Sequence, residues 1–294
     1  MASLRPLWLS VGSLCDRLRR SESLVVGLGF DGTLTPIADH PNAAALSPRT
    51  REVLVRLSRR DGARLALVSG RTLDDLRAKA GLDGVFYAGS SGLETLDEDG
   101  RREVHVGPDQ SVPVELVRQL ESWCQRFPGS WVERKPSSCA LHYRAVAPGL
   151  QPAFGAGARR RMRPFRRQAS LVHGKAVFEV MPAVGWDEAA ALERWLERSP
   201  ANAMLLFFGD DTRDEPVHAM VRRRGGFAVA VGRVVSRAEY VLPTCDDVVW
   251  FLEWLDREWA DRPRPARGHD AAAAARAEAA AAVGAHPHLS PSTS

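Results

Sequence analysis

Apolar runs alternate with helical spacings through the first third of the chain. Residues 25–30 are almost unbroken apolar sequence and end in Asp31-Gly32-Thr33, the pattern of a buried strand that runs into a turn. Residues 47–60 follow, with Val53, Leu54 and Leu57 at helical spacing and Ser47-Pro48 as N-cap and first-turn proline. Residues 64–68 form a second apolar strand, stopped by Ser69-Gly70-Arg71-Thr72; residues 74–80 read as helix and 85–88 as a third strand. Strand, helix, strand, helix, strand predicts a parallel sheet with helices on both faces. Such sheets bind ligands beyond the carboxyl ends of their strands. Residues 29–33, 69–71 and 209–214 all fall at predicted strand ends, so the topology is expected to bring them together.

The pattern changes between about residues 106 and 181. A helix is predicted over 111–127, alternating strands over 131–134 and 140–145, a second helix over 151–163, and a hairpin from 171–172 to 176–180 around His173-Gly174-Lys175. Helix, strand, strand, stated twice, predicts an inserted α+β cap. Helix and sheet resume at 187–197, 204–208, 216–224 and 226–231, and a last helix covers 248–259. The predicted organisation is a core in two parts, 1–105 and 183–260, a cap at 106–182, and a tail at 261–294. That tail, with its Arg-Pro pairs and alanine blocks, is expected to be disordered or loosely helical.

Composition adds exclusions. The 294 residues are 45% hydrophobic and 26% charged, ordinary for a globular protein with one large core or two smaller ones. No apolar stretch approaches the ~20 residues of a membrane span. Residues 1–20 lack a basic start before a continuous apolar block and read as a short amphipathic helix, not a signal peptide. Cys15, Cys124, Cys139 and Cys245 show no Cys-x-x-Cys spacing, which fits free thiols in a cytoplasmic protein. The net charge of +4 is mild, but six arginines crowd residues 159–167. Such a run can hold nucleic acid through its phosphates; with no aromatic-and-basic alternation beside it, it reads as a solvated face.

Three segments carry chemistry. In Asp31-Gly32-Thr33, backbone N–H groups can bind phosphate, and the Asp31 carboxyl can serve as general acid and base; Asp-Gly alone is also a simple turn signal. Ser69-Gly70-Arg71 places a hydroxyl and amides at a strand end, toward a phosphate oxygen, although Ser-Gly is also a common turn. In 209–215, Asp210, Asp211, Asp214 and Glu215 repel one another unless a cation or good hydrogen bonds stabilise them. Mg²⁺ suits such oxygen ligands; an acid-rich helix N-terminus is the simpler alternative.

Taken together these segments resemble the trehalose-6-phosphate phosphatase family of the haloacid dehalogenase superfamily, over about residues 23–259. The resemblance includes Leu67-Val68-Ser69-Gly70-Arg71, Ala88-Gly89-Ser90-Ser91-Gly92-Leu93-Glu94, Trp131-Val132-Glu133-Arg134-Lys135 with His142-Tyr143-Arg144, His173-Gly174-Lys175 with Glu179, Val184-Gly185-Trp186-Asp187, residues 209–215, and Ala228-Val229-Ala230-Val231-Gly232. It implies a Rossmann-like α/β core with a parallel sheet and an inserted cap, Mg²⁺ as cofactor, and trehalose 6-phosphate as the small-molecule partner. By resemblance Asp31 is the general acid/base and, through its backbone carbonyl, a metal ligand; Asp210 is the carboxylate metal ligand with Asp214 supporting the site, and Gly32, Thr33, Ser69, Gly70 and Arg71 hold phosphate. Glu133, Lys135, His142, Arg144, Lys175 and Glu179 are the implied sugar-binding residues.

Four positions depart from the family pattern. Gly29 stands where the loop's nucleophilic aspartate belongs, Glu188 where a lysine does, Ala189 where a glycine does, and Ser91 where a histidine does. Loss of a covalent nucleophile is expected to remove about four to six decades of rate, roughly 5–8 kcal/mol of barrier. Asp31 is a poor substitute, since its carboxylate approaches from the leaving-group side. The metal loses an anionic ligand that water fills more weakly. A Glu188 carboxylate ~5 Å from phosphate is expected to repel it by roughly 3 kcal/mol at an effective dielectric of 20, while at the first turn of a helix capped by Asp187 the same acid is favourable. The chain is thus expected to be a catalytically impaired relative that binds a phosphosugar or regulates. Its rivals are a working Mg²⁺-dependent phosphatase and, on the arginine run alone, a nucleic-acid binder.

Overall fold

The computed structural model describes residues 4–38, 40–232 and 236–262; the predicted tail lies outside them save for its first two residues. In chain order the strands are β1 (Arg5–Pro6), β2 (Ser23–Gly29), β3 (Ala63–Val68), β4 (Phe86–Gly89), β5 (Glu94–Leu96), β6 (Arg102–Val104), β7 (Trp131–Arg134), β8 (Cys139–His142), β9 (Ala169–Gly174), β10 (Val177–Pro182), β11 (Ala203–Gly209), β12 (Phe227–Val231) and β13 (Tyr240–Leu242). The helices are α1 (Val11–Arg20), α2 (Pro48–Ser58), α3 (Leu73–Ala80), α4 (Val114–Cys124), α5 (Gln151–Met162), α6 (Glu188–Leu196), α7 (Glu215–Arg223) and α8 (Cys245–Asp261). Among the described residues no helix is long and apolar enough to cross a membrane.

A nine-stranded sheet runs β1-β13-β12-β11-β2-β3-β4-β5-β6. From β1 to β4 every pair is parallel; β5 and β6 are added antiparallel at one edge. All seven residues of β2 are buried, as a central strand covered on both faces must be. Its alternation divides them. Leu24, Val26 and Leu28 pack with Leu54, Leu57, Phe251 and Trp259 of α2 and α8. Val25 faces the other way, into a layer with Leu192, Trp195, Val217 and Met220 of α6 and α7. Ser47 caps α2 through its hydroxyl oxygen, and Asp187 caps α6 through its carboxylate, which accepts from the Ala190 amide.

Between β6 and α6 the chain builds a separate antiparallel sheet, ordered β7-β8-β10-β9. Helices α4 and α5 cover one face through Leu116, Leu120, Phe154 and Ala158, packed on Cys139, Leu141, Phe178 and Val180. Period-two alternation sends the intervening residues to the opposite face. There Glu133, Ala140 and Glu179 stand in one cross-strand row, and Trp131, His142 and Val177 in the next.

The sheet is larger and less uniform than its apolar runs predict. Strands β5 and β6 are polar three-residue edge segments (Glu-Thr-Leu and Arg-Glu-Val) with no apolar run to betray them. β1 and β13 were likewise too short to stand out. The N-terminal helix starts only at Val11, after β1 and a 3-10 turn that buries Leu7. Helix α8 begins at Cys245, three residues before the first apolar position, because Thr244 and Asp247 form a reciprocal capping box. The arginine run is exposed, but two members lean on aromatic rings: Arg161 lies 3.9 Å from the Trp123 ring centroid and Arg159 lies 5.3 Å from that of Phe178.

Candidate active site

The three predicted strand ends do converge. Leu28 pairs with Phe208 on one side of β2 and Gly29 with Val68 on the other, which sets the loops after β2, β3 and β11 side by side. Above them sits the open face of the small sheet. Between the two lies a cleft of about 170 Å³, lined from below by Asp31, Ser69, Gly70, Arg71, Asp210, Asp211 and Arg213. From above, Trp131, Glu133, Lys135, His142, Arg144, Lys175 and Glu179 line it. Gly29, Gly32, Thr33, Glu188 and Asp214 are buried beside the cleft and do not form its walls.

The phosphate-type loop is tightly folded. Gly32 has φ +80°, and a Cβ there would lie 2.0 Å from the Asp210 carboxylate, so only glycine fits. Gly29 is different. Its φ is unremarkable, but a Cβ there would meet Thr33 Oγ1 at 2.8 Å. The threonine side chain thus packs against the space that a residue 29 side chain needs, and its hydroxyl donates to Asp210 Oδ1 at 3.4 Å. Ser69 is turned inward, its Oγ accepting from the Arg71 amide at 3.2 Å. Asp31 receives a two-pronged pair from Arg71, at 2.7 and 2.8 Å, and the same guanidinium reaches Asp75 and the Pro41 carbonyl. Arg71 therefore holds protein acceptors in place of a free position at phosphate.

The acidic loop finds its cations in the protein. Lys175 Nζ lies 2.5 Å from Asp210 Oδ2. Burial pushes the Asp210 carboxyl above its ordinary range, and the lysine offsets this only in part. Asp211 Oδ1 accepts from the Arg213 amide and from Nε, at 3.0 and 3.2 Å. That guanidinium outweighs burial and holds Asp211 below the usual carboxylate range. Asp214 lies under Gly209 and accepts from the Asp211 amide at 2.8 Å; burial, and then the charges of Glu188 and Asp210, push it well up. Glu188 is displaced to about 7, by burial first and against the pull of Arg213. Glu188 is buried and does not form the cleft wall, and its burial disfavours the anion, both of which weaken the repulsion of phosphate expected from its charge.

Arg213 lies between these acids in sequence. It is the central cation of the seam: its Nη1 reaches Glu179 of the small sheet at 3.4 Å, and a Cβ on Gly70 would lie 2.3 Å from it. An arginine placed among four carboxylates was the available signal. Lys135 Nζ, almost wholly buried, binds both Glu179 oxygens at 3.1 and 2.9 Å and the Gly70 carbonyl of the large sheet at 2.6 Å. His142 Nε2 pairs with Glu133 Oε2 at 2.8 Å, and its ring stacks on Trp131 at 4.1 Å. Burial alone would raise the Glu133 carboxyl; the His142 hydrogen bond and the Lys135 charge outweigh it and hold it low. Arg144 Nη1 donates to the Ala38 carbonyl at 2.8 Å.

The implied Mg²⁺ can be tested against this donor set. Both Asp31 oxygens face Arg71, Asp210 is shared between Lys175 and Thr33, and Gly29 brings no carboxylate. Among the described residues no three His, Cys, Asp or Glu side chains are grouped to hold a metal ion. The Asp31 and Asp210 carboxylates are thus engaged by protein cations as arranged, and the Asp31 backbone carbonyl is the group of the β2 loop left to face an ion.

Comparison with known proteins gives a consistent outcome. A family model described as trehalose-phosphatase matches residues 28–242. The trehalose-phosphate phosphatase of Mycobacterium tuberculosis H37Rv is 33% identical over 244 residues, covering 80% of this chain; the chain spans only 61% of that relative's length. The C-terminal domain of the Candida albicans trehalose-6-phosphate phosphatase superposes with a TM-score of 0.79 at 22% identity, covering 87% of this chain and 98% of that one. The C-terminal domain of the Candida albicans trehalose synthase regulatory protein superposes with a TM-score of 0.68 at 14% identity, covering 85% and 99%. The converging loops, the polar face above them and a family match that runs from the end of β2 to β13 lead to one assignment: this chain belongs to the trehalose-phosphatase family and has its haloacid-dehalogenase fold.

Proposed function

We propose that this chain is a trehalose-6-phosphate-phosphatase-like protein of trehalose metabolism that binds a phosphosugar, trehalose 6-phosphate, without turning it over at an ordinary enzymatic rate. Residues 106–182 act as the cap over a core made of 1–105 and 183–260. The phosphate end sits on the Gly70 amide and the Ser69 hydroxyl, which line the cleft, with Gly32 and Thr33 buried behind them and the Gly32 amide held by the Thr35 carbonyl. The sugar end meets Glu133, Lys135, His142, Arg144, Lys175 and Glu179. The observation that carries the reading is the end of β2: Gly29 has no side chain, and Thr33 packs against the space where one would start. In-line displacement at phosphorus needs a positioned nucleophile, and Asp31, clasped by Arg71, is poorly placed to replace it. A domain of the same fold in a protein described as a trehalose synthase regulator supports a regulatory use.

Two measurements test this. Phosphate release from trehalose 6-phosphate with Mg²⁺ is expected to stay far below ~1 s⁻¹, the low end of ordinary turnover; a rate above that makes the chain a working phosphatase. Calorimetry is expected to show heat with trehalose 6-phosphate and less with trehalose. Heat with neither ligand rejects phosphosugar binding.

A further inference from the structure

Among the described residues, the five carboxylates that line the cleft all have nitrogen partners within the protein. Asp31 pairs with Arg71, Glu133 with His142, Glu179 with Lys135 and Arg213, Asp210 with Lys175, and Asp211 with Arg213. Three of these nitrogen partners, from Lys135, His142 and Lys175, come from the small sheet and its turns; Lys135 and Lys175 reach groups of the loops below. Lys175 is the most specific. It sits in the two-residue turn between β9 and β10, next to Ala176, whose φ of +61° is a left-handed conformation unfavourable to alanine. The turn is fastened to the acidic loop by further hydrogen bonds: the Lys175 amide donates to Asp211 Oδ2 at 2.8 Å, and the Thr212 hydroxyl donates to the His173 carbonyl. The ammonium is thus aimed at Asp210 by its own backbone.

We propose that Lys175 is a built-in counter-ion at Asp210, so that in this chain a divalent cation and closure of the small sheet on the acidic loop compete for the same carboxylate. The reasoning is chemical. Mg²⁺ demands near-ideal octahedral oxygen at ~2.0–2.1 Å and gives up water reluctantly. An ammonium at hydrogen-bond distance on Oδ2 cannot share that oxygen's coordination position with it. With Gly29 in place of a carboxylate, the β2 loop offers an ion the Asp31 backbone carbonyl but no second anionic ligand to compensate for displacing the lysine. Lys175 remains 41% exposed, so the clasp can open and the relation is competition, not a permanent block. This goes beyond the phosphosugar reading and stands or falls without it, because its readout is metal binding and not sugar binding.

The test is Mg²⁺ titration by calorimetry of the unmodified chain, of Lys175→Gln and of Lys175→Met, with hydrogen exchange of residues 173–177 followed in parallel. The unmodified chain is expected to bind Mg²⁺ weakly, without saturation by about 10 mM, and the variants at least about tenfold more tightly, the equivalent of ~1.4 kcal/mol. In the unmodified chain, high Mg²⁺ is expected to speed exchange of the Lys175 amide as the turn lets go. Sub-millimolar Mg²⁺ binding with undiminished protection of that amide overturns the proposal, as do variants that fold yet bind no better than the parent. Should both variants fail to fold, the exchange measurement on the unmodified chain decides alone. Heat from trehalose 6-phosphate is recorded separately, so loss of one reading is not mistaken for loss of the other.

Discussion

In the small sheet, Trp131, Glu133, His142 and Glu179 reach the cleft because the strand period sends them there; in the large sheet, Asp31, Ser69, Asp210 and Arg213 reach it from loops beyond the strand ends. The first group is held by register. Their neighbours in sequence, Leu141, Phe178 and Val180, are core residues under α4 and α5, so a slip that displaced one polar side chain would turn the whole core outward. The second group depends on side chains that the fold hardly needs. Gly29 keeps its pairing with Val68 through backbone alone. A side chain at a strand end can therefore be exchanged without disturbing the register of the face above it, as Gly29 illustrates.

The sharpest way to break the comparison is to give the loop its chemistry back. Gly29→Asp combined with Glu188→Lys is expected to raise phosphate release from trehalose 6-phosphate by about four decades, ~5.5 kcal/mol of barrier. Thr33 must first turn away, since its Oγ1 lies 2.8 Å from the new Cβ; a Thr33→Ala background removes that oxygen. No gain in a folded variant places the defect elsewhere, with the Lys175 clasp and Ser91 as the first suspects.

The second prediction concerns the register-held side. Lys135 and Glu179 form a pair whose side chains are 2% and 5% exposed. Removing Lys135 leaves the buried Glu179 only the longer Arg213 contact at 3.4 Å, a loss of up to about 3–5 kcal/mol. Lys135→Met is expected to show it in urea unfolding, and Lys135→Met with Glu179→Leu to recover most of it. Equal stability of the single variant and the parent would show that the seam is wet, and the contrast between the two regions would weaken.

Much of this was legible in the sequence, for physical reasons. Apolar runs marked β2, β3 and β11 because central parallel strands are buried on both faces, and their ends gave the three loops. The polar face of the small sheet was legible through the family motif and not through periodicity, since strands of four residues carry only two positions per face. Edge strands β5 and β6 were hidden by their polar composition. Arg213 and Lys175 were hidden in another way. Charge clusters advertise their sign, and four carboxylates suggested an outside cation; that the chain brings its own from the same loop and from a hairpin 35 residues away is a matter of tertiary pairing that no local pattern records.

The smallest effect separates the charge of Glu188 from its position. Its carboxyl titrates near 7 in the folded chain, from an ordinary value of 4.5, because burial disfavours the anion more than Arg213 supports it. Between these values the folded state binds the proton that the unfolded chain has released. The group's contribution to stability is therefore complete below about pH 4.5 and is lost as pH rises through about 7, at a slope approaching ~1.4 kcal/mol per pH unit. Asp214, also displaced upward, acts in the same direction. Glu188→Gln keeps the shape and removes the titration, so urea midpoints measured from pH 5 to 8 are expected to fall less steeply in the variant than in the parent. Parallel curves would mean that Glu188 is ionised throughout and that Arg213 fully compensates it. The loop would then carry one more negative charge than its burial suggests, and Glu188→Lys would do more for phosphate binding than for stability.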